Sequence, residues 1–364
     1  MTFSDHIHYF KDLFKDRCLT AEPDLQRYGS DETEDLCFPP QLVLKPETTE
    51  EVSGIMKYCN QHEIPVTPSG ARTGLSGGAL PIKGGVLLSM ERFHSILDID
   101  EKNHQVTTEP GVITQVLQEA VREKGLFYPP DPASKGSCFI GGNVAENSGG
   151  PKAVKYGVTL DYVLNLEVVL PNGEVIWTGA NVLKNATGYN LTQLVVGSEG
   201  TLAVVTKIVL KLIPHPTHDA LLLVPFFSAE QACEAVAAIF RAGITPSGLE
   251  FMERDALVWA QEFTQDFTIK VEDNHEAHLL IEVDGNDAAV IMQECESIVA
   301  VLEEFETDEV LFADSTAQKD GLWSLRRKVS EAVKAQSVYK EEDTVVPRYQ
   351  LPELLRTVKE VGRR

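Results

Sequence analysis

Three stretches of this chain set small and hydroxylated residues where a ligand could lie directly against the backbone. The first is Pro68-Ser69-Gly70-Ala71-Arg72-Thr73-Gly74-Leu75-Ser76-Gly77-Gly78. Small residues let successive backbone N–H groups approach one anion, and the Ser and Thr hydroxyls add donors, so a diphosphate is the natural occupant. No Gly-Lys-Ser/Thr follows, which excludes a Walker loop, and Gly70 and Gly74 are four apart with no GxGxxG, which excludes the dinucleotide fingerprint. A glycine-rich structural loop is the alternative. The second stretch runs from Pro129-Pro130-Asp131-Pro132-Ala133-Ser134 through Cys138-Phe139-Ile140-Gly141-Gly142-Asn143-Val144-Ala145-Glu146-Asn147-Ser148-Gly149-Gly150-Pro151. With so few bulky side chains it cannot build a core, but it can lie flat against a planar ring while its amides bond the polar edge. The third, Lys184 to Leu191 followed by Gly197-Ser198-Glu199-Gly200-Thr201-Leu202, reads by itself as a turn and a strand entry.

A charged cluster lies toward the C-terminus, in Leu322-Trp323-Ser324-Leu325-Arg326-Arg327 and Val338-Tyr339-Lys340-Glu341-Glu342-Asp343. On one helix Arg326 and Ser330, four apart, share a face. Arginine offers a carboxylate a forked pair of donors, and Lys340 adds a point charge. Glu341, Glu342 and Asp343 could neutralise both, and spacing alone favours a solvated helix face with a surface salt bridge. His215 with His218, and His275 with His278, have two-histidine spacing but no completing carboxylate or cysteine set, so they read as loop histidines and no metal is expected. No residue can be named as the catalytic base.

The elements that must carry these groups follow from periodicity. Residues 1 to 37 are polar, weakly helical, and read as a leading arm, with order beginning after Pro39-Pro40. A strand at 42–44, a helix capped by Thr48 or Thr49 with Val52, Ile55, Met56 and Cys59 on one face, and strands at 64–66 and 86–88 bracket the first glycine loop. A strand at 104–108, a helix along Val112 to Val121 that Gly125 can end in the left-handed conformation, a hairpin turning at Pro171-Asn172-Gly173, and a strand at 205–212 follow. Pro214 and Pro216 mark a boundary, giving domains at 38–216 and 217–364. Beyond it strands at 220–226, 277–283 and 310–313 alternate with helices at 229–241, 288–304 and 317–335, which suggests a small α+β sandwich. A last apolar face, Leu351, Leu354, Leu355, Val358 and Val361, is still running at Arg364, which suggests a piece of a longer protein.

Composition bounds the partners. The 55 acidic and 32 basic residues give a formal charge of −23, which disfavours nucleic acid and demands a local basic site for any anionic substrate. The six cysteines are scattered without CxxC spacing, and no apolar run approaches a membrane span, so a cytoplasmic protein, or one peripheral to the inner face of the membrane, is expected.

Taken in order and spacing, the glycine blocks resemble the FAD-binding domain of the vanillyl-alcohol oxidase and p-cresol methylhydroxylase superfamily. The likeness is to the branch holding the glycolate oxidase flavin subunit, D-lactate dehydrogenase and D-2-hydroxyglutarate dehydrogenase, over roughly residues 38 to 350. The resemblance implies an α+β fold: a two-subdomain FAD domain followed by a ferredoxin-like cap domain, apparently truncated. It implies that Pro68, Ser69, Gly70, Ala71, Arg72, Thr73, Gly74, Leu75 and Ser76 hold the pyrophosphate. Asp131, Ser134 and Val205 would also contact the cofactor, Gly141, Gly142, Asn143, Ala145, Asn147 and Gly149 would lie beside the flavin ring, and Glu199 with Gly200 would close on the ribose or adenine side. Arg72 stands where relatives often have glycine. No histidine lies between His62 and His94, so FAD is expected to be non-covalent. By the same likeness Arg326, Ser330 and Lys340 contact the substrate, a small D-2-hydroxy acid whose C2 hydride passes to flavin N5 while a base takes the hydroxyl proton. Relatives continue into a histidine-rich Gly-Asp-Gly-Asn block supplying metal ligands and the base, and this chain has none. The electron acceptor would be a quinone, a partner flavoprotein or an iron–sulfur subunit. The rival readings are a module that holds FAD without turnover, and non-redox flavin chemistry of the alkyl-dihydroxyacetone-phosphate synthase kind.

Overall fold

The computed structural model describes residues 2–33, 36–313, 315–339 and 343–363. Two compact units emerge: Met1–Gly150 with Gly157–His215, and Pro151–Tyr156 with Pro216–Arg364.

In the first unit β1 (Cys18–Leu19), β2 (Leu42–Leu44), β3 (Val66–Ser69) and β4 (Val86–Ser89) form a sheet in the order β1-β2-β4-β3. Both β2 and β3 run parallel to β4. The parallel crossover is the helix Thr49–Gln61: the Thr48 side chain caps it by accepting from Glu51 N, and Val52, Ile55 and Cys59 are buried against the sheet. Glu63 turns left-handed (φ 53°) and Ile64 N bonds back to Cys59 O, so Ile64 closes the helix and β3 begins only at Val66. Order does not wait for Pro40 either. Helices Phe3–Phe14 and Glu22–Tyr28 bury Phe10, Phe14 and Tyr28, and β1 adds an antiparallel edge to β2. Three aromatics and a strand are enough to fold what reads as a polar arm into the core.

The chain then adds β5 (Ile96–Asp100), β6 (Gln105–Thr108), β7 (Leu126–Phe127), β8 (Val163–Val169), β9 (Val175–Trp177), β10 (Val204–Lys211) and β11 (Ile213–Pro214). Five of these form an antiparallel sheet, β5-β6-β10-β8-β9, while β11 pairs with β7. The β8–β9 hairpin turns through Gly173 at φ 82°, and Gly125, at φ 70°, follows the helix Thr114–Arg122.

The second unit is one antiparallel sheet of β12 (His218–Phe226), β13 (Gly248–Glu253), β14 (Ala277–Gly285) and β15 (Leu311–Ala313), ordered β13-β14-β12-β15. Leu222, Val224, Leu279 and Ile281 pack against the helices Ala229–Arg241 and Ala288–Leu302. Leu221, Leu223 and Leu280 cluster with residues of Arg254–Thr264, Thr316–Arg327 and Val329–Gln336. The helix expected at 317–335 is therefore two helices. Lys328, at φ −87° and ψ −4°, ends one and begins the next. Arg326 and Ser330 lie on either side of that break rather than one turn apart on a single helix.

Candidate functional site

A cleft in the first unit, with about 1070 Å³ of empty volume including solvent at its mouth, gathers residues from all three glycine-rich stretches. Strand β3 delivers Pro68 and Ser69, and the loop beyond it supplies Gly70 to Gly74. The short helix Ile140–Glu146 brings Gly141, Gly142, Asn143 and Ala145, and Ser198 to Gly200 enter from the turn before β10. The short helix seats against Pro110 only because Gly141 has no side chain: a Cβ there would stand 2.5 Å from the Pro110 Cβ, whereas one at Gly70 would make an ordinary 3.8 Å contact with Gly142 N. The third stretch is tied to the second by main chain, with Gly197 N donating to Val144 O (2.9 Å) and Glu199 N to Ala145 O (3.0 Å). Gly200, at φ 70°, is covered by Pro68.

Of the cofactor residues expected from sequence, Pro68 through Gly74, Ser134, Gly141, Gly142, Asn143, Ala145, Glu199, Gly200 and Val205 line this cleft. Leu75, Ser76, Asp131, Asn147 and Gly149 are not among its lining residues. Ser76 instead donates to Glu146 Oε2 (3.2 Å), and Asn147, left-handed at φ 51°, accepts Leu160 N on its Oδ1 (2.8 Å). Asp131 is buried beside Gly150, where a Cβ would meet Asp131 O at 2.5 Å. Asn143 spends its Nδ2 on Thr114 Oγ1 (2.6 Å) and so orients the helix. Asp31, Met90 and Pro110 also line the cleft. No local motif marks them, since each arrives from a separate element.

The cleft has an uneven charge. Among the described residues Asp31, Glu146 and Glu199 line it, against one cation, Arg72. Burial, then the Glu199 carboxylate, pushes Glu146 above the usual carboxylate range, and the Ser76 hydroxyl draws it partly back. Arg72 sits at φ 60° with its guanidinium carbon 4.3 Å from the Tyr28 ring centroid, and burial lowers its affinity for the proton. Ser69 Oγ is buried without a hydrogen-bond partner. A buried hydroxyl and a cation, neither with a partner among the described residues, together with glycine walls, fit a bulky ligand with an anionic segment.

On the second unit, Arg326 directs both Nε (2.6 Å) and Nη2 (2.5 Å) onto Glu250 Oε2 of β13. Ser330 is exposed, and Lys340, with Glu341 and Glu342, lies outside the described residues. Of the three expected substrate residues, the described structure places only Arg326 and Ser330, on either side of Lys328. Glu250, 76 residues from Arg326, carries no signal that sequence reasoning could have used. The loop reading holds for His215 and His275 but not for His218, which opens β12, or for His278. His278 is on β14 with both ring nitrogens buried and without a partner among the described residues, and His275 is buried with Nε2 3.1 Å from Asp308 Oδ2. Burial and the His275 ring push His278 down to about 4, so it is neutral. No group of three metal-ligating side chains occurs among the described residues. Nor, among them, is any helix long and apolar enough to cross a membrane.

Sequence and structure comparisons agree with this architecture. An FAD binding domain matches residues 40–179, and the C-terminal domain of FAD linked oxidases matches 215–364. The chain belongs to the FAD-linked oxidases. It is 40% identical over 320 residues to a D-lactate dehydrogenase of Anaerostipes hadrus, covering 87% of this chain and 67% of that one. It is 39% identical to the glycolate oxidase subunit GlcD of Bacillus subtilis (strain 168), covering 92% and 71%. A D-2-hydroxyglutarate dehydrogenase of Xanthomonas citri pv. viticola is 34% identical, covering 90% and 69%. Among solved structures an alkyldihydroxyacetonephosphate synthase shares the fold at a TM-score of 0.81 and 17% identity, covering all of this chain and 75% of the other. P-cresol methylhydroxylase does so at 0.72 and 20%, covering 90% and 69%.

Proposed function

We propose that this protein is an FAD-dependent oxidoreductase acting on a small D-2-hydroxy acid of the glycolate, D-lactate or D-2-hydroxyglutarate type. The observation that carries the reading is the convergence of three separated glycine-rich stretches on one cleft. The substrates named for the relatives share a carboxylate beside a secondary or primary alcohol, which supports that substrate class.

Residues 68–74 would hold the diphosphate, Gly141, Gly142 and Ala145 would flank the flavin ring, and Glu199 with Gly200 would close the nucleotide end. Bound non-covalently, FAD supplies the two-electron acceptor that oxidation of an alcohol carbon requires. Arg326 offers the substrate carboxylate the guanidinium N–H groups that Glu250 does not use, with Ser330 and Lys340 assigned to the same subsite. The substrate's C2 and hydroxyl lose a hydride and a proton, and a 2-oxo acid leaves. Reducing equivalents then pass to a quinone, a partner flavoprotein or an iron–sulfur subunit.

The test is the anaerobic visible spectrum of the purified protein during addition of D-lactate, glycolate and D-2-hydroxyglutarate. A flavin spectrum bleached by one of them is expected and names the substrate. A flavin spectrum that none bleaches would leave a flavin-holding protein without this activity, and failure to take up FAD would sink the reading altogether. Acid precipitation should release the yellow chromophore into the supernatant. Colour retained in the pellet would refute non-covalent attachment.

A further inference from the structure

The geometry points to Arg72 as the residue that selects a diphosphate-bearing flavin over an uncharged one. This rests on the flavin reading above and goes beyond it, because it assigns the discrimination to one side chain. Arg72 is the only cation among the described residues that line a cleft carrying three carboxylates, in a chain of formal charge −23. A diphosphate entering that field meets repulsion from Asp31, Glu146 and Glu199 unless a positive charge offsets it.

Arg72 is placed at a conformational cost. It holds φ 60°, a left-handed backbone that favours glycine, inside a loop otherwise rich in glycine. Its guanidinium lies over the Tyr28 ring, and Tyr28 is itself fixed, because its hydroxyl donates to Glu91 Oε2 at 2.7 Å. The nearby carboxylate is already engaged: Glu91 pairs with Lys45 (2.7 Å) and accepts from Ser89 Oγ (3.0 Å). Among the described residues Arg72 therefore has an aromatic support and no carboxylate partner. Ser69, the last residue of β3 and 3% exposed, keeps a hydroxyl with no partner among the described residues at the cleft wall. A forked cation and a free donor, one on the loop and one on the strand that leads into it, suit phosphate oxygens. The flavin ring, the ribityl chain and adenosine carry no charge for Arg72 to recognise.

The experiment compares apoprotein, stripped of any bound flavin, as wild type and as Arg72→Gly. Glycine suits φ 60°, so the backbone is relieved rather than strained and the variant is expected to fold. Dissociation constants for FAD, ADP and riboflavin are measured by fluorescence and calorimetry at low and high salt. Loss of a charge-assisted pair predicts that FAD and ADP bind about tenfold or more weaker to the variant, while riboflavin binds as before. The salt dependence of FAD binding should also shrink in the variant. Arg72→Lys, which keeps the charge but loses the fork, should fall between the two. Unchanged FAD affinity in Arg72→Gly would overturn the inference, and so would a parallel loss of riboflavin. Wild-type protein that binds no FAD would instead overturn the flavin reading, and the selectivity with it.

Discussion

A Cβ built on Gly141 would stand 2.5 Å from the Pro110 Cβ and 2.9 Å from Pro110 O, whereas one on Gly142 meets nothing within 4 Å. Adjacent glycines thus serve different ends, one to seat a helix and the other to keep a cleft wall bare. Gly141→Ala should push Ile140–Glu146 off Pro110 and destabilise the fold by about 1–3 kcal/mol, the usual cost of overpacking. Gly142→Ala should leave the melting temperature unchanged or slightly raised, since alanine is the better helix former, while weakening FAD binding. Thermal melts alongside flavin titrations separate the two, and a Gly142→Ala protein with wild-type FAD affinity would remove that position from the flavin wall. Arg326 needs a paired comparison because its removal leaves Glu250 without a partner. Arg326→Ala is expected to raise KM strongly with bound flavin unaltered. Glu250→Gln, which frees Arg326 from its counter-charge, should not raise KM. A KM indifferent to Arg326→Ala would take that residue out of the substrate site.

Elements show where local pattern suffices and where it does not. The helix Ala229–Arg241 is legible because its apolar residues repeat at helical spacing behind the Ser228 cap, and the β8–β9 hairpin because Asn-Gly fixes its turn. The glycine stretches are legible for a related reason, since an absence of side chains is itself a local pattern. Strand β5 is hidden by Asp98 and Asp100 on an edge strand, and β13 by Glu250 and Glu253. The break at Lys328 leaves no proline or glycine to announce it. The N-terminal segment is held by contacts distant in sequence. Arg17 forks onto Glu51 at 2.7 Å through both terminal nitrogens, joining the turn before β1 to the first turn of Thr49–Gln61. The Arg17 side chain, chiefly by hydrogen bonding, holds Glu51 below the usual carboxylate range. A depressed folded-state value means that the pair's stabilisation is present above the unfolded carboxylate value and disappears as pH falls through the folded one. Arg17→Ala should therefore cost about 1 kcal/mol at neutral pH, discounted because both side chains are partly exposed. Denaturant titrations at acid pH should show that difference vanish. A penalty of equal size there would assign the effect to packing of Arg17 on Phe14 instead.

At the scale of the molecule, the backbone passes between the two units at Gly150–Pro151, Tyr156–Gly157 and His215–Pro216. A six-residue excursion, Pro151–Tyr156, thus belongs to the second unit although it interrupts the first. It is anchored there by charge. Lys152 Nζ lies 2.5 Å from Glu282 Oε1, and Asp284 Oδ1 receives Lys155 Nζ (2.7 Å) and the Tyr156 hydroxyl (2.8 Å). Glu282 and Asp284 are 6% and 4% exposed on β14, so neither is well solvated without those partners. Burial outweighs Lys152 in raising Glu282 above the usual carboxylate range. For a carboxylate whose folded value is raised, stability is greatest at low pH and is lost as pH climbs from the unfolded value through the folded one. Lys152→Met strips away the charge that opposes this and should raise Glu282 further. Breaking a buried pair typically costs about 3–5 kcal/mol, so a penalty of that order is expected well above the ordinary carboxylate range and a smaller one as pH falls toward it. Urea unfolding followed by tryptophan fluorescence measures it, since Trp259 and Trp323 both lie in that unit. Double substitution with Glu282→Gln should recover most of the loss, because the group left buried is then uncharged. If the penalty is instead independent of pH and is not recovered by Glu282→Gln, the Lys152 stem contributes by packing, and Pro151–Tyr156 is retained for its shape rather than its charge.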